Sequence, residues 1–250
     1  MASKRILREL AARRVRPDSE CIVPGATALE EVIKAGRRPS LVCCAPSGRE
    51  TGDRILSTNG VDAPVLPIDA PSAARIIGVD TIAHGIFCSV AVPSSDLSLL
   101  PSRRLLVLDG LGDPGNVGTL VRTADALGWD AVFACRPCVS LVNDKVLRSA
   151  AGALFRIPWQ MGTWAELDAL LGATRRTLLA DVAGGIAVHD VPIADEPLAL
   201  VLSSEAHGPS PDALARLSAS RVCIPMRPGR DSLNVAVAGG ILMHGLGGAR

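Results

Sequence analysis

From Leu105 to Gly128 the chain reads LLVLDGLGDPGNVGTLVRTADALG: an apolar run, glycines spaced Gly110-x-Gly112-x-x-Gly115, and a helical pattern. Such glycines would let a dinucleotide pyrophosphate approach a helix N-terminus, with an acidic residue about twenty positions on taking the ribose hydroxyls. Asp130 stands at that distance, but it precedes the next apolar run, AVFACR, and so falls at the wrong edge of the sheet. Pro114 suits the first turn of a helix better than a loop around pyrophosphate. Asp113, Asn116, Thr119, Arg122 and Thr123 are polar where a dinucleotide helix presents small or apolar side chains. The glycine pattern is therefore read as a decoy. Cys135-x-x-Cys138 has no second pair at zinc spacing, and His84, His189, His207 and His244 form no ligand pattern, so no metal is expected. Two half-buried thiols around a turn are the simpler reading of the cysteine pair.

Three polar blocks remain. The first is Asp109-x-x-x-Asp113-Pro114-x-Asn116-x-Gly118, followed by Arg122. The second is LVLSSEAHGPS, in which an apolar run through Leu202 and Ser203 ends in Glu205, with Gly208 following. The third is IPMRPGRDSLNVAVA, where Ile224, Pro225 and Met226 close a strand and a short basic loop leads to Ser232, Leu233 and Asn234 at a helix start. Each has a plain structural explanation. Asn116, Ser232 and Asn234 are residue types that helix N-caps favour. Arg122 reads as a surface charge, Glu205 as a solvated loop carboxylate, and Ile224 and Leu233 as core. Two polar residues straddling Leu233 nevertheless exceed what one cap requires. His207 near Glu205 invites a general-base role, but the sequence offers it no partner.

The elements that must position these blocks follow from apolar periodicity. Strand-like runs fall at 21–24, 41–44, 64–68 and 86–92, separated by helical patterns such as TALEEVIKAG. PSSDLSLLPS at 93–102 is rich in Pro and Ser. After it come RLLVLD, AVFAC, RTLLADV, LALVLSS and RVCIPM, alternating with helices, the last running through LNVAVAGGILMHGL. Short apolar runs alternating with helices predict an α/β fold with a mostly parallel sheet covered on both faces. The expected organisation is a small α/β domain at 1–93, a linker at 94–102 and a larger α/β domain at 103–250. Gly239-Gly240 inside the last helix calls for close packing against a partner helix.

Composition narrows the classes. In 250 residues, 48% are hydrophobic and mean hydropathy is +0.31, which excludes a disordered chain. The apolar runs are broken well short of a membrane span. Formal net charge is only +1, yet residues 3–16 gather Lys4, Arg5, Arg8, Arg13, Arg14 and Arg16 against Glu9 on a helical pattern. With no Tyr, three Phe and three Trp, base stacking on aromatics is a poor means of gripping RNA here. Seven cysteines, an odd number, and no secretory signal point away from a disulfide framework and toward a reducing compartment. The reading is cytoplasmic, with an organelle as the alternative because the Arg-rich start also has transit-peptide character.

Together the three blocks resemble those of the SpoU/TrmH-type methyltransferases of the SPOUT class, and NDKVLRSAAGALFRIP resembles that family's connecting region. ILRELAARRVRPDSECIVPGATALEEVIKAG and AHGIFCSVAVP are similar to the family's small substrate-binding domain, so the likeness covers nearly the whole chain. It implies methylation of a ribose 2′-hydroxyl in structured RNA, rRNA ahead of tRNA, using S-adenosylmethionine, by a homodimer. It also implies that the C-terminal segment threads a loop into a trefoil knot, a topology no sequence pattern suggests. Around the cofactor it puts Leu202, Ser203, Glu205, Gly208, Ile224, Pro225, Met226 and Leu233, and at the active centre Asn116, Arg122, Glu205, Ser232 and Asn234. A guanidinium with a pKa above about 12 is a poor base. Arg122 is therefore expected to clamp a phosphate and stabilise developing alkoxide charge. Lys4, Arg5, Arg13 and Arg14 are expected to follow RNA phosphates. Block two departs from the family's usual Gly-Asn-Glu: Ser203 could crowd the pocket or hydrogen-bond the ligand. That departure motivates the alternative reading, a catalytically silent RNA-binding or ribosome-assembly scaffold.

Overall fold

The computed structural model describes residues 20–77, 85–93, 96–99, 103–172, 175–192, 196–217, 220–227 and 232–247. The basic N-terminal segment with Lys4, Arg5, Arg13 and Arg14, His84, and the basic loop at 228–231 lie outside the described residues. The chain divides into two compact units, Met1–Pro93 with Ala151–Arg156, and Ser94–Ala150 with Ile157–Arg250. This differs from the expected boundaries in two places. Residues 151–156 belong to the first unit, where Arg156 pairs with Glu31 at 2.7 Å. The segment expected to be a linker belongs to the second, because Leu97 is buried in that unit's core and its N–H donates to Gln160.

In the first unit the elements are β1 (Glu20–Pro24), α1 (Ala26–Lys34), β2 (Leu41–Cys44), α2 (Arg49–Thr58), β3 (Val65–Pro67), α3 (Ala70–Ile77) and β4 (Ile86–Ala91). The sheet order is β1-β4-β2-β3, with β4 antiparallel to both neighbours and β2 parallel to β3. Ile22, Cys43, Phe87 and Ile68 pack against Ala73, Ile76 and Ile77 of α3.

The second unit runs β5 (Arg104–Asp109), α4 (Pro114–Ala126), β6 (Ala131–Cys135), α5 (Asp144–Ser149), β7 (Trp159–Gly162), α6 (Trp164–Leu171), β8 (Arg176–Ala180), β9 (Ile186–Ala187), β10 (Leu198–Ser203), α7 (Pro211–Leu217), β11 (Arg221–Cys223) and α8 (Val235–Gly245). Its sheet has the order β7-β6-β5-β10-β8-β11-β9, and every pairing is parallel. Parallel strands covered on both faces need apolar residues at successive positions. Leu105, Leu106, Val107 and Leu108 supply them, all fully buried. Leu105 and Val107 share a cluster with Trp164 and Leu167 of α6 and Ala213 and Leu217 of α7.

On α8, Gly239 is forced by close approach, since a methyl there would overlap Leu120 of α4 and Leu202 of β10. Gly240 has ordinary room beside Thr123. The glycine pair thus has half its explanation inside the chain. Strand order reverses beside β5: β6 and β7 lie on one side of it, β10 and β8 on the other. Such switch points leave a crevice at the carboxyl ends of the strands, where α/β proteins bind ligands. Among the described residues, no helix is long and apolar enough to cross a membrane.

Candidate active site

At α4, Asp113 is the N-cap: its Oδ1 accepts the Asn116 N–H at 2.8 Å, and Pro114 occupies the first turn. Asp113 also faces Lys145 at 3.7 Å. The Asn116 N–H, helped by Lys145, holds the Asp113 carboxyl below its ordinary value of 3.8. A capping carboxylate at this terminus excludes the pyrophosphate that the glycine spacing would otherwise suggest. Asp130 accepts the backbone N–H groups of Arg103 and Arg104, both at 2.7 Å, at the amino end of β5. Neither feature serves a dinucleotide.

Because Asp113 does the capping, the Asn116 side chain is released. Its Nδ2 donates to Glu205 Oε1 at 3.4 Å, and its Oδ1 accepts from Asn234 Nδ2 at 3.1 Å. Asn234 is itself the N-cap of α8, with Oδ1 accepting from the N–H groups of Ala236 and Val237 at 3.0 and 3.3 Å. The carboxamide caps with one end and bridges to Asn116 with the other. Glu205 Oε1 accepts the Val235 N–H at the same terminus, where a negative charge is favoured by the helix dipole. One residue from each block thus joins a single network, Asn234 to Asn116 to Glu205.

Beside this network a cavity of about 150 Å³ opens at the carboxyl ends of β8, β10 and β11. Leu202, Ser203, Glu205 and Gly208 line it from block two; Ile224, Met226, Ser232 and Leu233 line it from block three. Strand β11 ends at Cys223, three residues short of the expected run, which frees Ile224 to become wall rather than sheet. Pro225, expected beside the ligand, is exposed and does not line the cavity. Arg122 is exposed, about 120° round α4 from Asn116. It forms no hydrogen bond or ion pair among the described residues. Ser232 is exposed at the cavity rim and does not cap α8. His207 is exposed, with Nδ1 3.3 Å from Ser204 Oγ, and lies off the cavity wall.

The Ser203 hydroxyl, at the cavity wall, donates to Asp109 Oδ2 at 2.9 Å. Asp109, only 2% exposed, also accepts from Trp164 Nε1 at 3.0 Å and from the Ser210 N–H at 2.8 Å. The sequence pattern gives Asp109 no role of its own. Nor does it mark Ala180, Asp181 and Val182, which line the cavity from β8 and just beyond it. Asp181 pairs with Arg221 of β11 at 2.7 Å. The signal present was apolar strands ending in an aspartate, a buried charge that must find partners. Burial raises the thiols of Cys135 and Cys138 to about 12 and about 11, so this pair is held protonated. Among the described residues no group of His, Cys, Asp and Glu is placed to hold a metal.

Fold and site define an α/β protein with a small-molecule cavity at the carboxyl ends of parallel strands. The family model for the SpoU rRNA methylases matches residues 103–244, and the chain belongs to that family. It is 34% identical over 151 residues to the 23S rRNA (guanosine(2553)-2'-O)-methyltransferase RlmP of Bacillus subtilis, covering 60% of each chain. It is 27% identical over 274 residues to rRNA methyltransferase 3A, mitochondrial, of Danio rerio, covering 85% of this chain and 62% of that one. The chain thus spans about 60% of the length of these relatives. The crystal structure of an AdoMet-bound rRNA methyltransferase from Sinorhizobium meliloti shares the fold, with a TM-score of 0.83 at 20% identity, covering 98% of this chain and 96% of that one.

Proposed function

We propose that this chain methylates a ribose 2′-hydroxyl of structured RNA, ribosomal rather than transfer RNA, with S-adenosylmethionine as cofactor. The observation that carries this reading is the network joining Asn116, Glu205 and Asn234 beside a cavity lined by the other two blocks. The names of the relatives favour rRNA. The cavity suits the cofactor: Leu202, Ile224 and Leu233 give it apolar walls for adenine, and strand ends give it backbone hydrogen-bonding groups. The Ser203 hydroxyl donates to Asp109 rather than into the cavity, which supports a working cofactor site over the scaffold alternative that the altered block two motivates.

When bound, the cofactor supplies a methyl group on a sulfonium, which an oxygen nucleophile attacks in line. The protein's task is to position that oxygen and stabilise its charge as its proton passes to solvent water. Asn116 and Asn234, locked to each other, form a preset polar edge beside the cavity. Glu205 fixes the block-two loop to the start of α8. Arg122 is the group to clamp the phosphate next to the target ribose, two-pronged, and to offset negative charge on the oxygen. Ser232, at the cavity rim, offers a hydroxyl contact.

The same reading includes a trefoil knot in the C-terminal segment, a homodimer, and RNA binding through the N-terminal unit and its basic segment, in the cytoplasm. On α8, Val237 and Ile241 are 53% and 41% exposed and one turn apart, an apolar stripe suited to a second copy.

Titration calorimetry with S-adenosylmethionine, followed by mass mapping of ribosomal and transfer RNA incubated with protein and labelled cofactor, tests the proposal. Binding and a single methylated ribose in rRNA are expected. No binding at millimolar cofactor, or methylation that survives Asn116→Ala with Arg122→Ala, would sink it.

A further inference from the structure

Asp109 and Ser203 are register neighbours at the carboxyl ends of the two central strands, β5 and β10. A single oxygen, Asp109 Oδ2, accepts from both Ser203 Oγ and the Ser210 N–H, at 2.9 and 2.8 Å. Those two residues bound the segment that carries Glu205 and Gly208. Within it, Ser204 and Gly208 bridge each other, and Ser210 Oγ accepts the Ala213 N–H at the start of α7. The second oxygen, Oδ1, is held by the indole of Trp164, itself 5% exposed. A buried carboxylate costs several kcal/mol to desolvate unless its lone pairs are satisfied, and this one has three donors.

We propose that Asp109 is a positioning residue that pins both ends of the 203–210 loop and so presets the cofactor cavity and the Glu205 contact with Asn116. Because the hydroxyl proton of Ser203 is committed to Asp109, Ser203 meets the cavity only as a hydrogen-bond acceptor. This explains how a serine is accommodated on a wall where a side chain would otherwise be free to turn into the ligand. The inference rests on the reading of the cavity as the cofactor site.

Its test exploits the chemistry of asparagine. In Asp109→Asn one carboxylate oxygen becomes an NH2 donor. One flip sets that donor against Trp164 Nε1–H; the other sets it against the Ser210 N–H. The first flip opposes two N–H groups at Trp164 and pushes the side chain out of place, and the second breaks the Ser210 contact outright. In either case the loop loosens, and the affinity for S-adenosylmethionine measured by calorimetry should fall about tenfold. Adding Trp164→Phe removes the opposing indole donor, so the amide oxygen can serve Ser203 and Ser210 without that clash. The double variant should therefore bind more tightly than Asp109→Asn alone.

A purely packing role for Asp109 gives the opposite sign, with losses that add. Additive losses, or wild-type affinity in Asp109→Asn, would overturn the proposal. If Asp109→Asn does not fold, Ser203→Ala removes one pin while leaving the carboxylate in place. It should weaken cofactor binding roughly threefold, and unchanged affinity there counts against the proposal. Ile224→Trp, which fills the cavity, separates the two readings: wild-type affinity in that variant refutes the cavity assignment, whatever Asp109 does.

Discussion

Asn234 illustrates how a capping residue and a site residue can be one side chain. Its oxygen satisfies two N–H groups at the start of α8 while its NH2 group reaches Asn116. Asn234→Asp keeps the acceptor and deletes the donor. Thermal stability should stay within about 0.5 kcal/mol of wild type, while methyl transfer to rRNA falls at least about tenfold. Asn234→Ala should lose activity and about 1 kcal/mol as well. Arg122 is the reverse case, exposed and without a partner among the described residues. Arg122→Ala should leave the melting temperature unchanged and lower turnover by about 10²-fold, the scale of removing one charge-stabilising donor. Cysteine reactivity gives an independent probe. Six of the seven cysteines are buried, while Cys223 is half-buried and lines the cavity. Alkylation of the folded protein should therefore mark Cys223, and saturating S-adenosylmethionine should slow it. Equal labelling with and without cofactor would contradict the cavity assignment.

At the level of elements, α4 ties block one to the rest of the unit. Its N-cap, Asp113, has a carboxyl held below 3.8, first by the Asn116 N–H and then by Lys145. A depressed folded value means the contribution is present above the ordinary value and lost as pH falls through the lowered one. Asp113→Asn should therefore flatten the loss of stability seen below about pH 4 in acid titrations followed by circular dichroism. The body of the helix is fixed by Gly118, where a methyl would overlap Ser149 Oγ and the Val146 carbonyl of α5. Gly118→Ala should cost about 1–3 kcal/mol in urea unfolding. Activity should fall with it, because displacing α4 from α5 moves Asn116.

For the whole molecule, the proposed dimer and RNA contact are separable. Val237→Asp with Ile241→Asp places two charges on the exposed apolar stripe of α8 without touching its buried face. Sedimentation should show a monomer with native circular dichroism, and a dimer that persists would rule out this stripe as the interface. RNA affinity should fall steeply with salt, although net charge is only +1, because counterion release depends on the cations that meet phosphates rather than on the total. Neutralising Lys4, Arg5, Arg13 and Arg14 should make that salt slope shallower.

Continuous apolar runs such as LLVL at 105–108, the Asp-Pro opening of α4 and the polar blocks are local features, so the sequence alone determined the parallel α/β unit and its candidate residues. Trp159–Gly162 reads WQMG, with Gln160 and Gly162 breaking the apolar run that the equally short LVCC at 41–44 has, and Ile186–Ala187 is too short to show any pattern, so neither strand is legible in the sequence. The inclusion of Leu97 and of residues 151–156 in their units depends on contacts from distant chain. The same holds for which end of Asn234 caps, for the exposure of Pro225, and above all for the partners of Asp109. Asp109 meets Ser203 and Ser210 across 94 and 101 positions of sequence. Only the parallel pairing of β5 with β10 sets those strand ends side by side. A buried carboxylate announces that it needs donors, and the tertiary structure decides which ones it finds.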